Sequence, residues 1–256
     1  MKIIIICALV IIGIFCSARP TVLSQNLRGT TGVTKPASGF AVVELFTSEG
    51  CSSCPSADEL LASLASEKRD HVFLLSFHVD YWNRLGWKDR FSDAAFSRRQ
   101  QQYAATLGLS SVYTPQAVIN GRQEVLGSDR NKMEACIESS LNGAVSEPIS
   151  LVATAGSSKS VNVSYGFGQT DDNILCITLV ELAAQTKVMA GENAGRLLQH
   201  RQIVRDLQII QPGASGQGQV IMHIPAGSEA SGFEVIAFTQ RRSNLQITGC
   251  SRALIR

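Results

Sequence analysis

The first half of the chain alternates short apolar runs with stretches of helical periodicity. Residues 40–47 (FAVVELFT) form a short, β-branched, mostly apolar run of the kind a buried strand has. SEGCSSCP interrupts it. SADELLASLASEKRD then places Ala57, Leu60, Leu61 and Leu64 on one helical face. HVFLLSFHVDYW reads as a second buried strand, NRLGWKD as a loop, and RFSDAAFSRRQQQYAATLG as a helix. The apolar face of that helix carries Phe91, Ala95, Phe96, Tyr103 and Leu107. VYTPQAVING and RQEVLG read as two strands meeting at Asn120-Gly121, a dipeptide suited to a tight hairpin turn. SDRNKMEACIESSLN closes the series as a helix, with Ser128 or Asp129 in the capping position.

Strand and helix alternation predicts an α/β layer with crossover connections, and the final hairpin makes its sheet mixed. The texture changes near residues 143–148. ISLVATAG, SVNVSYGFG, NILCITLVEL, TKVMAG, RQIVRDLQII, GQVIMHIPA and EVIAFTQRR are short strand-like runs between turn residues. They predict a mostly antiparallel β region, arranged as a sandwich or barrel. The expected organisation is therefore an α/β domain over 40–145 and a β-rich domain over 146–256.

The N-terminus has another character. Lys2 precedes an apolar run at 3–15, and Cys16-Ser17-Ala18 offers small residues at the −3 and −1 positions of a cut after Ala18. This is the layout of a secretory signal peptide over 1–18. The run falls short of the about 20 residues of a transmembrane helix. A Thr-, Ser- and Gly-rich stretch at 19–39 reads as a disordered leader. The expected product is exported, periplasmic or secreted, with no stable membrane span once the signal is removed.

Composition narrows the function. Charged residues are 17% of the 256 and the net charge is +2, which argues against nucleic acid as a partner. Of seven cysteines, Cys7 and Cys16 leave with the signal. Cys51 and Cys54 sit between a strand and a helix, two residues apart. At that spacing both sulfurs meet across one turn, and the positive end of the helix stabilises a thiolate on Cys51. Pro55 suits the first turn. Thr114-Pro115 stands before the strand QAVIN, across from the cysteines, where a proline (often cis) leaves the preceding backbone free to pair with an extended substrate. Glu44, on the strand leading to the cysteines, is a candidate proton relay for Cys54. The constellation Cys51, Cys54 and Pro115 points to thiol–disulfide exchange with protein or small-molecule thiols and disulfides, needing no cofactor.

Two other assignments use the same residues. Cys51, Cys54 and His78 offer a copper-chaperone set, although a lone histidine near a strand end is more often a hydrogen-bonding core residue. Alternatively the first domain is a non-catalytic binding module. Tyr81, Trp82 and Trp87 cluster in the HVDYWNRLGWKD loop as a rim or as core packing. Cys176 and Cys250 lie in different predicted strands, and their pairing stays open.

VVELFTSEGCSSCPSAD, FHVDYWNRLGWKDRFS, VYTPQAVINGR and GSD, with GENAGRLLQHRQIVRDL at 191–207, resemble the exported thioredoxin-like family catalogued as domain of unknown function 1223. The resemblance runs from about Ala41 to the C-terminus. It implies a thioredoxin-like fold for residues 40–145 and reinforces Cys51, Cys54 and Pro115 as the site. It supplies no substrate. Ser56 stands where such proteins often carry proline. The 191–207 segment has no chemistry legible in its residues, and it is expected to face the cysteines and help to form a partner cleft. Within it, Arg196, His200 and Arg201 read as polar surface.

Overall fold

Every residue of β1 (Ala41–Thr47) is buried, because the strand has a partner on each edge and a layer on each face. The computed structural model describes residues 39–144, 146–168, 172–211 and 216–256. β1 runs parallel to β2 (Val72–His78), from Ala41 opposite Val72 to Thr47 opposite His78. It runs antiparallel to β3 (Gln116–Ile119). Parallel neighbours need a crossover, and α1 (Pro55–Ser66) supplies it. Ala41, Val43 and Leu45 pack with Ala57, Leu60, Leu61 and Leu64 of α1 and with Met133 and Ile137 of α3 (Arg130–Leu141). Val42 and Phe46 point the other way and pack with Phe77, Phe96 and Tyr103. The period-2 alternation of a strand thus divides two cores.

The helices start where short side chains cap them. Asp93 accepts from the Ala95 amide at the head of α2 (Ala94–Leu107), and Asp129, not Ser128, accepts from Lys132 at the head of α3. Phe91 precedes α2 instead of belonging to it. β3 returns into β4 (Gln123–Leu126) through Asn120 (φ 48°) and Gly121 (φ 64°), as the dipeptide predicts.

The second half supplies β5 (Ile149–Ala155), β6 (Ser160–Phe167), β7 (Asn173–Lys187), β8 (Leu197–Ile210), β9 (Gln217–His223), β10 (Phe233–Arg241) and β11 (Ile247–Leu254). Among the described residues one eight-stranded sheet runs β11-β10-β7-β8-β2-β1-β3-β4, and a separate antiparallel sheet runs β5-β6-β9. Val161, Val163 and Met222 of the smaller sheet pack on Leu175, Ile177, Val235 and Ala237 of the larger, so part of the predicted sandwich is present. The predicted β region is not a sheet of its own, because β8 pairs parallel with β2 at Ser76 and Ile203. An apolar β2 would otherwise carry an unpaired backbone edge. The runs NILCITLVEL and the start of TKVMAG merge into the 15-residue β7. β11 puts Cys250 in a strand, as expected, although its residues (ITGCSRAL) show no apolar run.

The predicted signal peptide (1–18, with Cys7 and Cys16) and the leader, Gly39 apart, lie outside the described residues. Gly39 itself bonds through its amide to the Leu141 carbonyl at 3.0 Å. Among the described residues no helix is long and apolar enough to cross a membrane.

Candidate functional site

The turn after β1 builds the cysteine pair. The Cys51 amide donates to the Ser48 carbonyl (3.1 Å) and the Cys54 amide to the Cys51 carbonyl (3.2 Å). Cys54 is the N-cap of α1, Pro55 opens the helix, and the Ala57 and Asp58 amides return to the Cys54 carbonyl. Cys51 therefore stands three residues before the cap and is not within the helix. The fold brings the two Cα atoms to 5.4 Å and joins the residues as a disulfide, within the range such bonds span. Neither cysteine has any exposure, although Ser52 and Ser53 between them are exposed.

Pro115 joins this site. The Thr114-Pro115 bond is cis, and the Thr114 carbonyl lies 3.8 Å from Cys51 Sγ and 3.4 Å from Ser53 Oγ. Trp82 Nε1 donates to Thr114 Oγ1 at 2.8 Å, and the Gly127 amide donates to the Pro115 carbonyl at 2.9 Å.

The 188–196 segment between β7 and β8 bonds to the backbone of the cysteine turn. Val188 and Arg196 close it as a hairpin, with the Val188 amide on the Arg196 carbonyl at 2.9 Å. Asn193 Nδ2 donates to the Glu49 and Cys51 carbonyls, both at 2.9 Å. Asn193 Oδ1 accepts from Arg196 at 2.9 Å. The Ser52 amide donates to Glu192 Oε2 at 3.1 Å, and the Ser52 hydroxyl first and this amide second hold the Glu192 carboxyl below its ordinary range. Of the 191–207 segment expected to face the cysteines, Glu192 and Asn193 touch the cysteine turn.

One expectation for that segment fails. His200 is not polar surface but 1% exposed, because β8 carries it beneath the cysteine turn. Its ring nitrogens lie 3.4 Å from Glu49 Oε1 and 3.4 Å from Asp58 Oδ2. Burial pulls the imidazolium pKa down, but the Asp58 and Glu49 carboxylates outweigh it and push the value up to about 9. The acids are otherwise tied in. Glu49 Oε2 accepts from Trp87 Nε1 at 2.7 Å and Asp58 Oδ1 from the Thr47 hydroxyl at 2.9 Å. The tryptophans thus bind the site's edges, one to Glu49 and one to Thr114. No local pattern marks His200 or Asn193 as site residues. Their proximity to the cysteines is set by strand pairing across more than a hundred residues.

His78 faces this cluster and not the sulfurs. Its Nδ1 lies 2.7 Å from Asp89 Oδ2, which also accepts from the Glu49 amide at 2.9 Å. Its ring packs edge-on to His200 at 4.9 Å and to Phe91 at 5.1 Å. Burial raises the Asp89 pKa, but the charge and hydrogen bond of His78 more than offset this, and the carboxyl sits below its ordinary value. Among the described residues no group of three or more His, Cys, Asp or Glu side chains is placed to hold a metal. The Cys51, Cys54 and His78 set is therefore not assembled.

Glu44 also lies elsewhere than expected. It is buried on the Val42 and Phe46 face of β1, opposite the face that meets α1. Arg99 binds it with two nitrogens, the Nη2–Oε1 contact measuring 2.9 Å, and the Tyr103 hydroxyl donates to it. Gln240 of β10 completes the group, donating to Tyr103 at 2.8 Å and accepting from Arg99 at 3.2 Å. Burial lowers the Arg99 pKa, but Glu44 outweighs it and holds the guanidinium above its ordinary value. Glu44 thus anchors α2 to β1 on the face turned away from α1.

Cys136, Cys176 and Cys250 are free thiols. Cys176 on β7 and Cys250 on β11 both lie opposite Phe238 on the intervening β10. Two inter-strand spacings separate them, about 10 Å, beyond the reach of a disulfide. Burial raises the Cys176 thiol to about 11.

The chain is similar to protein AGR_C_4864 from Agrobacterium tumefaciens, known from a crystal structure. The two are 28% identical with a TM-score of 0.61, over 84% of this chain and 93% of that one. A domain of the outer membrane lipoprotein Omp28 from Porphyromonas gingivalis is 11% identical with a TM-score of 0.30, over 44% of this chain and 91% of that one. No curated protein matches. With a family model matched over residues 42–240, the chain belongs to the family described as Protein of unknown function (DUF1223).

Proposed function

We propose that the chain is an exported thiol–disulfide oxidoreductase-like protein whose first half is thioredoxin-like. The observation that carries this reading is the Cys51–Cys54 disulfide at the start of α1, set against the carbonyl before cis-Pro115. The strand order β2-β1-β3-β4, with β1 parallel to β2 and antiparallel to β3, and the three helices between and after them support the thioredoxin-like assignment. Export rests on the layout of residues 1–18 and on a disulfide that persists in an oxidising compartment.

In the reduced protein the Cys51 thiolate attacks one sulfur of a partner disulfide. That S–S bond breaks, the partner's leaving sulfur takes up a proton, and Cys51 is held in a mixed disulfide. Cys54, deprotonated, then attacks Cys51 Sγ and releases the second partner thiolate. Two electrons pass to the partner and the Cys51–Cys54 bond re-forms; the reverse sequence oxidises a partner dithiol. The α1 N-terminus favours the thiolate. Pro115 sets the Thr114 backbone beside the reacting sulfur. Partners are protein or small-molecule thiols and disulfides.

The test is a glutathione redox titration together with trapping. The Cys54→Ser variant should accumulate mixed disulfides at Cys51, and the wild-type pair should cycle. No trapped species and no exchange with glutathione would end this reading.

The complete burial of both sulfurs favours a second reading, a non-catalytic binding module with a permanent disulfide. Failure of the folded pair to exchange over hours, with rapid reduction after unfolding, would select it.

A further inference from the structure

We infer that the 188–196 segment is a lid over the dithiol, latched by Asn193, which must open before any partner reaches Cys51. The inference rests on the oxidoreductase reading for its meaning, since a lid regulates only a site that reacts.

Three observations carry it. First, Cys51 and Cys54 are fully buried while the two serines between them are exposed, so the sulfurs are closed to a partner in this conformation. Second, the segment occupies the polar backbone of that turn. Asn193 takes the Glu49 and Cys51 carbonyls, and Glu192 takes the Ser52 amide. These contacts hold the segment on the turn that carries Cys51, where it obstructs a partner approaching that turn. Third, the segment is lightly held. Val188 anchors the segment as a buried residue, but of residues 189–196 only Asn193 is buried, while Met189 and the flanking Leu197 leave apolar side chains in solvent. Opening therefore breaks a few hydrogen bonds and uncovers little apolar surface, which places it at the low-energy end of local motions.

Backbone geometry agrees with a hinged segment. Gly191 (φ 76°) and Gly195 (φ 83°) flank the latch in the left-handed region that other residues adopt at a cost. A Cβ on Gly195 would meet nothing within 4 Å, so conformation, and not crowding, calls for glycine there.

The experiment measures how fast dithiothreitol reduces the Cys51–Cys54 disulfide in the folded wild type, in Asn193→Ala and in Glu192→Ala. Measurements are made at high salt to screen charge effects, with Glu59→Ala as a charge control. Asn193→Ala removes two closing hydrogen bonds and should be reduced roughly tenfold faster. A folded Asn193→Ala protein reduced at the wild-type rate overturns the lid. If that variant does not fold, Glu192→Ala decides. It should be reduced about threefold faster, as loss of one exposed hydrogen bond implies, while Glu59→Ala stays at the wild-type rate. Equal rates for Glu192→Ala and Glu59→Ala overturn the proposal. The glutathione titration is read separately. Faster dithiothreitol reduction in Asn193→Ala without any glutathione exchange keeps the lid and removes the oxidoreductase. Glutathione exchange with unchanged reduction rates keeps the oxidoreductase and removes the lid.

Discussion

His200 and Asp58 stand 3.4 Å apart in the interior, and this contact joins β8 to the helix that begins at Cys54. With Glu49 on the other ring nitrogen, the imidazolium offsets two acids that flank the cysteine pair in sequence. Its folded pKa, about 9, lies above the ordinary 6.5. The stabilisation is therefore full below pH 6.5 and is lost as pH rises through 9. Thermal unfolding followed from pH 6 to 10 should show this decline, up to about 3 kcal/mol. His200→Gln should be less stable at pH 6 and lack the decline.

The Glu44–Arg99 pair predicts an asymmetry between single and double substitutions. Arg99→Met leaves a buried carboxylate uncompensated and should cost about 3–5 kcal/mol in urea unfolding at pH 7. Adding Glu44→Gln should recover most of the loss. Equal stability of the single and double variants would contradict the pairing.

Gly121 is placed to tie the hairpin to the second half. A Cβ there would sit 2.0 Å from the Leu245 carbonyl oxygen, and its φ is already +64°. Gly121→Ala should destabilise by about 2 kcal/mol or more through combined strain and displacement. Denaturant midpoints measure it. Gly108→Ala, at a helix C-terminus with nothing near its Cβ, should cost about 1 kcal/mol.

The disulfide closes a loop with two intervening residues. Its contribution to stability should be about 2 kcal/mol, below the roughly 3 kcal/mol of a 15-residue loop. The reduced protein should therefore stay folded. Urea curves with and without reductant, and for Cys51→Ser/Cys54→Ser, test this. Unfolding on reduction would mean that the pair is a structural staple.

Glu44 shows where reading the chain by itself reached its limit. Its place on a buried strand was legible from FAVVELFT, and the face it points to was not, since one residue of register reverses every side chain. Arg99 and Tyr103 carry no sign of their partner, because in their own helix they appear as a charge and one apolar position. His78 was likewise legible as a strand-end histidine, but only the fold shows that it meets Asp89 and His200 and not sulfur.

What local pattern could settle, it settled. Hydrophobic period located β1, β2 and the three helices. The Asn120-Gly121 dipeptide located the hairpin, and CSSCP before a helical run located the dithiol, because each depends on residues within a turn or two of one another. The long-range decisions belonged to tertiary structure. These are the pairing of β8 with β2, the burial of His200 between two acids, and the hydrogen bond that Asn193 makes to the Cys51 carbonyl. They join segments more than a hundred residues apart through polar side chains and backbone edges. Such contacts have no periodicity, so they exist only once the sheet has closed.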